Sequence, residues 1–438
     1  MPTIKFHSAI ILFLMACVPI LQNSVVDNSE LEYINIAIAA ICSTMIFARP
    51  NESYSLHKVV NLFFLFFLCI APCVQYKGNI QMMGTFFYTD EYITTSLYVL
   101  FILIGYNFFY WIFRQSCTVP GIVNKQNMRK LRSREEVKLL VLAGAICFLF
   151  LAFNNFNLIS LFVRDGDVTT RQDQSQIEFL VMEYFVRPMP MIMLLVALRR
   201  KVTHKIVLYL LFVFFFFSCP VTGMARFSVA ALYIPVCLCA IPWLRRRNNF
   251  AYVFIFGLLI VFPMLNLFRN YSGGDSFEQI GFFDQFSDMN FDAYSMFMRV
   301  LRDDIVTHGR QLLGVLLFFL PRSFWPDKPI GSGAYVAEVQ NLSFSNLSMP
   351  FWGEGYINFG IYGIVLFMLI LSFFTAKCDK IYWTRIVYSN DYKQYQYMML
   401  IGLLFFMMRG DLMSSYAYLC GFMAAYYVVT RVVIRKSY

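Results

Sequence analysis

The residues of this chain with chemistry to offer are a set of arginines at the edges of apolar runs, one carboxylate between glycines and one histidine. Arg322 and Lys328 stand in PRSFWPDKP, Arg226 in PVTGMARFS, Arg269 closes one apolar run and Arg409 interrupts another. A guanidinium offers planar paired donors that match two phosphate oxygens and keeps its charge at any relevant pH. In apolar surroundings the anion that such a set would grip is most simply a lipid phosphate or diphosphate. Glu354, between Gly353 and Gly355, sits where the backbone leaves room for a ligand, and its carboxylate can take a hydroxyl proton. His308, followed by Gly309, is the rival base. Trp325, Trp352 and Tyr356 suit stacking on sugar faces, and equally an interfacial aromatic belt.

Each of these residues also has a purely structural reading. Glu354 can pair with Arg322 or Lys328, Arg409 with Asp411, and Arg269 can reach to the interface; Arg226 has no acid near it in sequence. Glu183 and Arg187 lie one helical turn apart and form a natural pair.

The elements that must position these groups are transmembrane helices. Of 438 residues 59% are apolar and 14% charged, with 49 Phe and 23 Met, far from the balance of a soluble domain. Runs of about spanning length occur near 8–22, 31–48, 59–75, 92–113, 139–159, 178–198, 206–220, 228–244, 250–268, 357–375, 395–408 and 412–434. The expectation is an all-α polytopic membrane protein of about twelve transmembrane helices with both termini cytoplasmic. That arrangement places 24 of the 36 Lys and Arg inside, as the positive-inside bias requires. The +10 net charge is thereby explained by topology and headgroup contact, with no nucleic-acid partner. The chain divides into residues 1–268, a large periplasmic loop at 269–356, and 357–438.

Within that loop the stretch 321–360 is too irregular to cross a bilayer, because hydrocarbon cannot satisfy its free backbone groups. Asp284, Asp288 and Asp292 fall four apart and, with Phe283, Phe286, Tyr294, Phe297 and Met298, predict an amphipathic helix on the membrane surface. Gln311 to Leu320 is apolar but too short to span, which suits an interfacial or re-entrant segment.

The order TGMAR at an outer helix start, then PRSFWPDKP in a long outer loop, then GEGYINFG running into the next span, resembles the Wzy-type family of O-antigen and oligosaccharide repeat-unit polymerases. The resemblance implies a bacterial inner-membrane glycosyltransferase of the GT-C class that needs neither metal nor cofactor. It implies donor and acceptor glycans carried on undecaprenyl diphosphate, and a chain-length regulator of the polysaccharide co-polymerase type as partner. Arg226, Arg322, Lys328, Arg269 and Arg409 would hold the diphosphate, Trp325, Trp352 and Tyr356 the sugars, and Glu354 or His308 the proton. O-antigen ligase and lipid-linked oligosaccharide flippase are the alternatives. A flippase would show two related halves, and here only the second carries a large loop.

Other motifs carry less. Asp165-Gly166-Asp167 resembles a cation-holding DxD, but a turn is the preferred reading. The eleven Cys form no CxxC; Cys73 and Cys219 can pair, with buried free thiols as the preferred reading. Leu14-Met15-Ala16-Cys17 resembles a lipoprotein cleavage box, and a retained first helix is the better reading. The Asn-Leu-Ser sequons at 341 and 346 and the Arg409-Gly410-Asp411 tripeptide have no role in a bacterial protein of this kind.

Overall fold

Apolar runs this long fold as helices because only a helix satisfies every backbone group within one segment. The computed structural model describes residues 6–22, 24, 26–118, 131–157, 176–200, 202–222, 224, 226–261, 283–388 and 393–434. Its first nine long helical segments are α1 (Phe6–Leu21), α2 (Ser29–Phe47), α3 (Leu56–Lys77), α4 (Thr89–Ser116), α5 (Ser133–Phe153), α6 (Ile177–Arg200), α7 (Lys205–Ser218), α8 (Arg226–Ala240) and α9 (Asn249–Val261). Three short helices follow, α10 (Ala293–Arg302), α11 (Arg310–Leu316) and α12 (Ser332–Val339). The chain then runs through α13 (Phe351–Thr384), α14 (Lys393–Arg409) and α15 (Leu412–Ile434). Seven of these, α2 to α6, α13 and α15, are long and apolar enough to cross a membrane. The other expected intervals each hold a helix: α1, α7, α8, α9 and α14.

α3 is the axis of one half of the bundle: residues 56–73 are all buried. Its start is fixed by Ser55, whose side chain accepts from Lys58 N at 3.2 Å, the usual N-cap bond. α13 packs along α4, and α8 along α14, while α7 fills the space beside α5 and α6. Glu183 and Arg187 of α6 form the expected pair, with Arg187 Nε also on the Ser218 carbonyl at 2.9 Å. Cys73 and Cys219 are buried and unbonded.

Far from the 283–350 segment, Asp379 near the end of α13 is fully buried. It accepts from Leu56 N (3.0 Å), His57 N (3.2 Å), Tyr110 Oη (2.8 Å) and Tyr397 Oη (2.6 Å). One carboxylate thus satisfies free N–H groups at the start of α3 and ties α3, α4, α13 and α14 together.

The 283–350 segment departs from expectation. Asp284 and Asp288 lie in or beside short 3-10 turns, and α10 begins only after Asp292. No single helix therefore carries the three acids, and α10 does not lie on a surface, since residues 293–300 are all buried. Its rings found a better apolar partner in the protein than at an interface: Tyr294 stacks on Tyr92 at 5.9 Å, and Phe291 on Phe67 at 4.6 Å. α11 and the chain after it present apolar surface, with Leu313, Leu316 and Phe319 about half exposed and Phe324 more so.

α13 contains a corner. Phe359 (φ −144°) and Gly360 (φ 60°, ψ −145°) leave helical geometry, the latter in a region essentially confined to glycine. The two arms meet backbone to backbone. A Cβ on Gly355 would lie 2.7 Å from the Gly363 carbonyl oxygen, and one on Gly363 would overlap the Gly355 carbonyl.

Candidate functional site

The corner is what builds the site. Breaking the helix at Gly360 frees the carbonyls of Ile357 and Asn358, and buried carbonyls must find donors. Thr307 N and Oγ1 donate to Ile357 O at 2.6 and 2.9 Å, Gly309 N donates to Asn358 O at 2.8 Å, and Leu312 N donates to Asn358 Oδ1 at 2.7 Å. Between these bonds His308 and Gly309 both take positive φ, 51° and 86°, which holds the imidazole out in solvent at the mouth of the corner.

Two cavities share Tyr356 at this point, and a third lies beyond Arg302. The first, of about 710 Å³, is lined by Asp304, Val306, His308 and Tyr356 on one side and by Phe359 and Tyr362 on the other. Tyr362 is 86% exposed, so this cavity has a polar rim and an apolar, outward-facing wall. The second, of about 280 Å³, shares Tyr356 and adds Asp90, Glu91, Thr94, Tyr98 and Arg302. The third, of about 150 Å³, lies across the first turn of α4 and is walled by Phe86, Phe87, Tyr88 and Tyr92 with Asn79 and Gln75. Arg302 joins the last two, its guanidinium 5.2 Å from the Phe87 ring centre.

The track is polar and firmly held. Tyr356 Oη donates to Asp304 Oδ1 at 2.6 Å. Arg302 grips Asp303 with Nε and Nη2 at 2.7 and 2.9 Å and lies 3.8 Å from Glu91. The Arg302 hydrogen bonds hold the Asp303 carboxyl below its ordinary value and raise that of Arg302 in return.

Two exposed arginines, Arg310 and Arg322, reach one turn at 326–328. Arg310 Nη2 donates to Asp327 O at 3.3 Å, and Arg322 Nη1 donates to Lys328 O at 2.8 Å, with Pro326 O 3.5 Å away. Neither guanidinium is in an ion pair among the described residues. Lys328 between them is 3% exposed, its ammonium spent on the carbonyls of Phe318 and Leu320 at 2.5 and 2.8 Å; burial and then the Arg322 charge lower its pKa.

The other expected site residues are placed elsewhere. Arg409 pairs with Asp292 at 2.8 Å and donates to Asn290 O at 2.9 Å; Asp411 is not its partner. Asp411 instead caps α15, accepting from Met413 N at 2.9 Å and from Gly333 N at 3.2 Å, and burial raises its carboxyl above the usual aspartate value. Glu354 is fully buried, one oxygen accepting from Ser332 Oγ at 2.7 Å and the other from Leu412 N at 2.8 Å. Neither Arg322 nor Lys328 pairs with it. Trp352 is 1% exposed, its ring 4.5 Å from that of Phe64, and Trp325 is half-buried. Arg226 opens α8 but its side chain, like Arg269 and Asp165 to Asp167, lies outside the described residues.

The structure thus brings together His308 and Tyr356, and adds Asp90, Glu91, Arg302 and Asp304, while Arg310 and Arg322 meet on the turn at 326–328. A signal for these was present: Thr89-Asp90-Glu91 is a helix start, and Arg302-Asp303-Asp304 is a charge cluster in a chain poor in charge. No protein-family model, curated protein or solved structure matches the chain.

Proposed function

We propose that this protein polymerises undecaprenyl-diphosphate-linked oligosaccharide repeat units on the periplasmic face of a bacterial inner membrane, as the resemblance to Wzy-type polymerases implies. The chain would cross the membrane twelve times with both termini cytoplasmic and present the 269–356 segment outside. The observation that supports the reading is the track along Tyr356. Its one end is apolar and faces outward like a lipid site, and its other end is lined by carboxylates, hydroxyls and aromatic rings like a glycan site. An amphiphile with a long polar head fits such a track.

In the reaction, an acceptor sugar hydroxyl attacks the anomeric carbon of the donor glycan, the bond to diphosphate breaks, and undecaprenyl diphosphate leaves. His308, exposed on the cavity, is the better placed base; Glu354 has both oxygens engaged. Arg310 and Arg322 would stabilise the departing diphosphate by paired charge-assisted hydrogen bonds, with Arg226 and Arg269 as further candidates.

The test uses purified protein and synthetic undecaprenyl-diphosphate-linked repeat units. A ladder of lipid-linked multimers supports polymerisation. Transfer to lipid A core alone would identify a ligase, and transbilayer movement without a new glycosidic bond a flippase.

A further inference from the structure

At the end of the bundle opposite the track, three arginines from two separate elements face one cavity of about 240 Å³. Arg199 comes from the last turn of α6, and Arg245 and Arg246 from the turn between α8 and α9; Tyr54, Tyr382 and Trp383 complete the wall. Like charges brought this close repel unless something neutralises them. No guanidinium of the three hydrogen-bonds or ion-pairs with a described residue. Among the described residues, the acids nearby are already engaged: Glu52 with Arg114, and Asp379 with four donors.

We infer that this cavity is a phosphate site, occupied by the headgroup phosphate of an anionic phospholipid. Its volume is below the ~300 to 1,000 Å³ of pockets for drug-sized ligands, on the scale of a headgroup. Ile241 and Trp243, at the start of the same turn, are about half exposed, and an exposed Trp beside arginines marks the headgroup level of a membrane. Basic pockets between helices at that level hold acidic lipid headgroups. The guanidiniums supply charge-assisted bonds to the phosphate oxygens. The site serves to lock α6, the α8–α9 turn and the end of α13 together, and does not depend on the proposed polymerisation.

The experiment follows thermal unfolding of the full-length protein in uncharged detergent at fixed ionic strength, titrated with cardiolipin, phosphatidylglycerol, phosphatidylcholine or inorganic phosphate. The expected result is a saturable rise in midpoint with the two anionic lipids. Arg199→Gln/Arg245→Gln should weaken the apparent affinity at least tenfold, while Arg431→Gln, at an exposed cation that does not line the cavity, should behave as wild type. Arg245→Lys, which keeps the charge and the fold but loses the paired donors, should fall between. A rise with inorganic phosphate as well would show that the phosphate group alone suffices, and a rise with lipid only would show that the acyl chains contribute. Equal response to phosphatidylcholine, or undiminished anionic-lipid affinity in both Arg245 variants, would overturn the site.

Discussion

His308 and Glu354 are both able to move a proton, and their surroundings divide the work between them. Glu354 accepts Leu412 N and Ser332 Oγ in a fully buried position, so it holds the start of α15 against the start of α12. Glu354→Gln keeps one acceptor oxygen but turns an amide N–H₂ on a donor, and a buried donor left unpaired costs about 1 to 3 kcal/mol. The thermal midpoint should fall, while polymer formed per folded molecule stays near wild type. His308→Ala should leave the midpoint unchanged and reduce the rate on the order of a hundredfold to ten-thousandfold, with single lipid-linked repeats accumulating. The reverse pattern would make Glu354 the base. Arg310 and Arg322 are tested by geometry: replacing either by Lys should cost nearly as much as replacing it by Ala, because an ammonium cannot reproduce paired planar donors. Full polymer yield from both lysine variants would remove the diphosphate role.

At the scale of elements, the corner of α13 is the device that sets His308 in place, and its glycines can be tested directly. Gly363→Ala drives a methyl into the Gly355 carbonyl, where backbone rather than a flexible side chain must move. The loss belongs to the rare class above about 4 kcal/mol, and the variant should be recovered poorly from the membrane; a wild-type midpoint would show that the arms do not touch. The helices were legible in the sequence because hydropathy is a local property, and every expected apolar interval holds a helix. The glycines of GEGYINFG read as room for a ligand, whereas Gly355 gives way to the Gly363 backbone of the other arm. The partners were not legible. Arg409 was matched with Asp411 two residues away, yet its acid is Asp292, 117 positions distant, and sequence spacing carries no trace of a contact made by folding. The aspartate pattern at 284, 288 and 292 misled for a related reason: periodicity cannot tell a helix from turns whose rings are claimed by α3 and α4.

Across the whole molecule, two buried acids hold the ends. Glu354 joins helix starts beside the track, and Asp379 gathers four donors at the far end. Asp379→Leu would strand two tyrosine hydroxyls and two helix-start N–H groups in the core, so its cost should exceed that of Glu354→Gln. The proposed orientation gives these ends different compartments, and labelling can separate them. Ser345 is exposed in the 283–350 segment, and Thr118 is exposed just beyond α4 at the opposite end. If the basic-residue asymmetry sets the topology, a cysteine at Ser345 should react with a membrane-impermeant maleimide in intact spheroplasts, above the background of the native thiols. A cysteine at Thr118 should react only after the membrane is opened. Labelling of Thr118 with protection of Ser345 would invert the chain, leave the track facing the cytoplasm where nucleotide sugars are present, and withdraw the case for a lipid-linked donor.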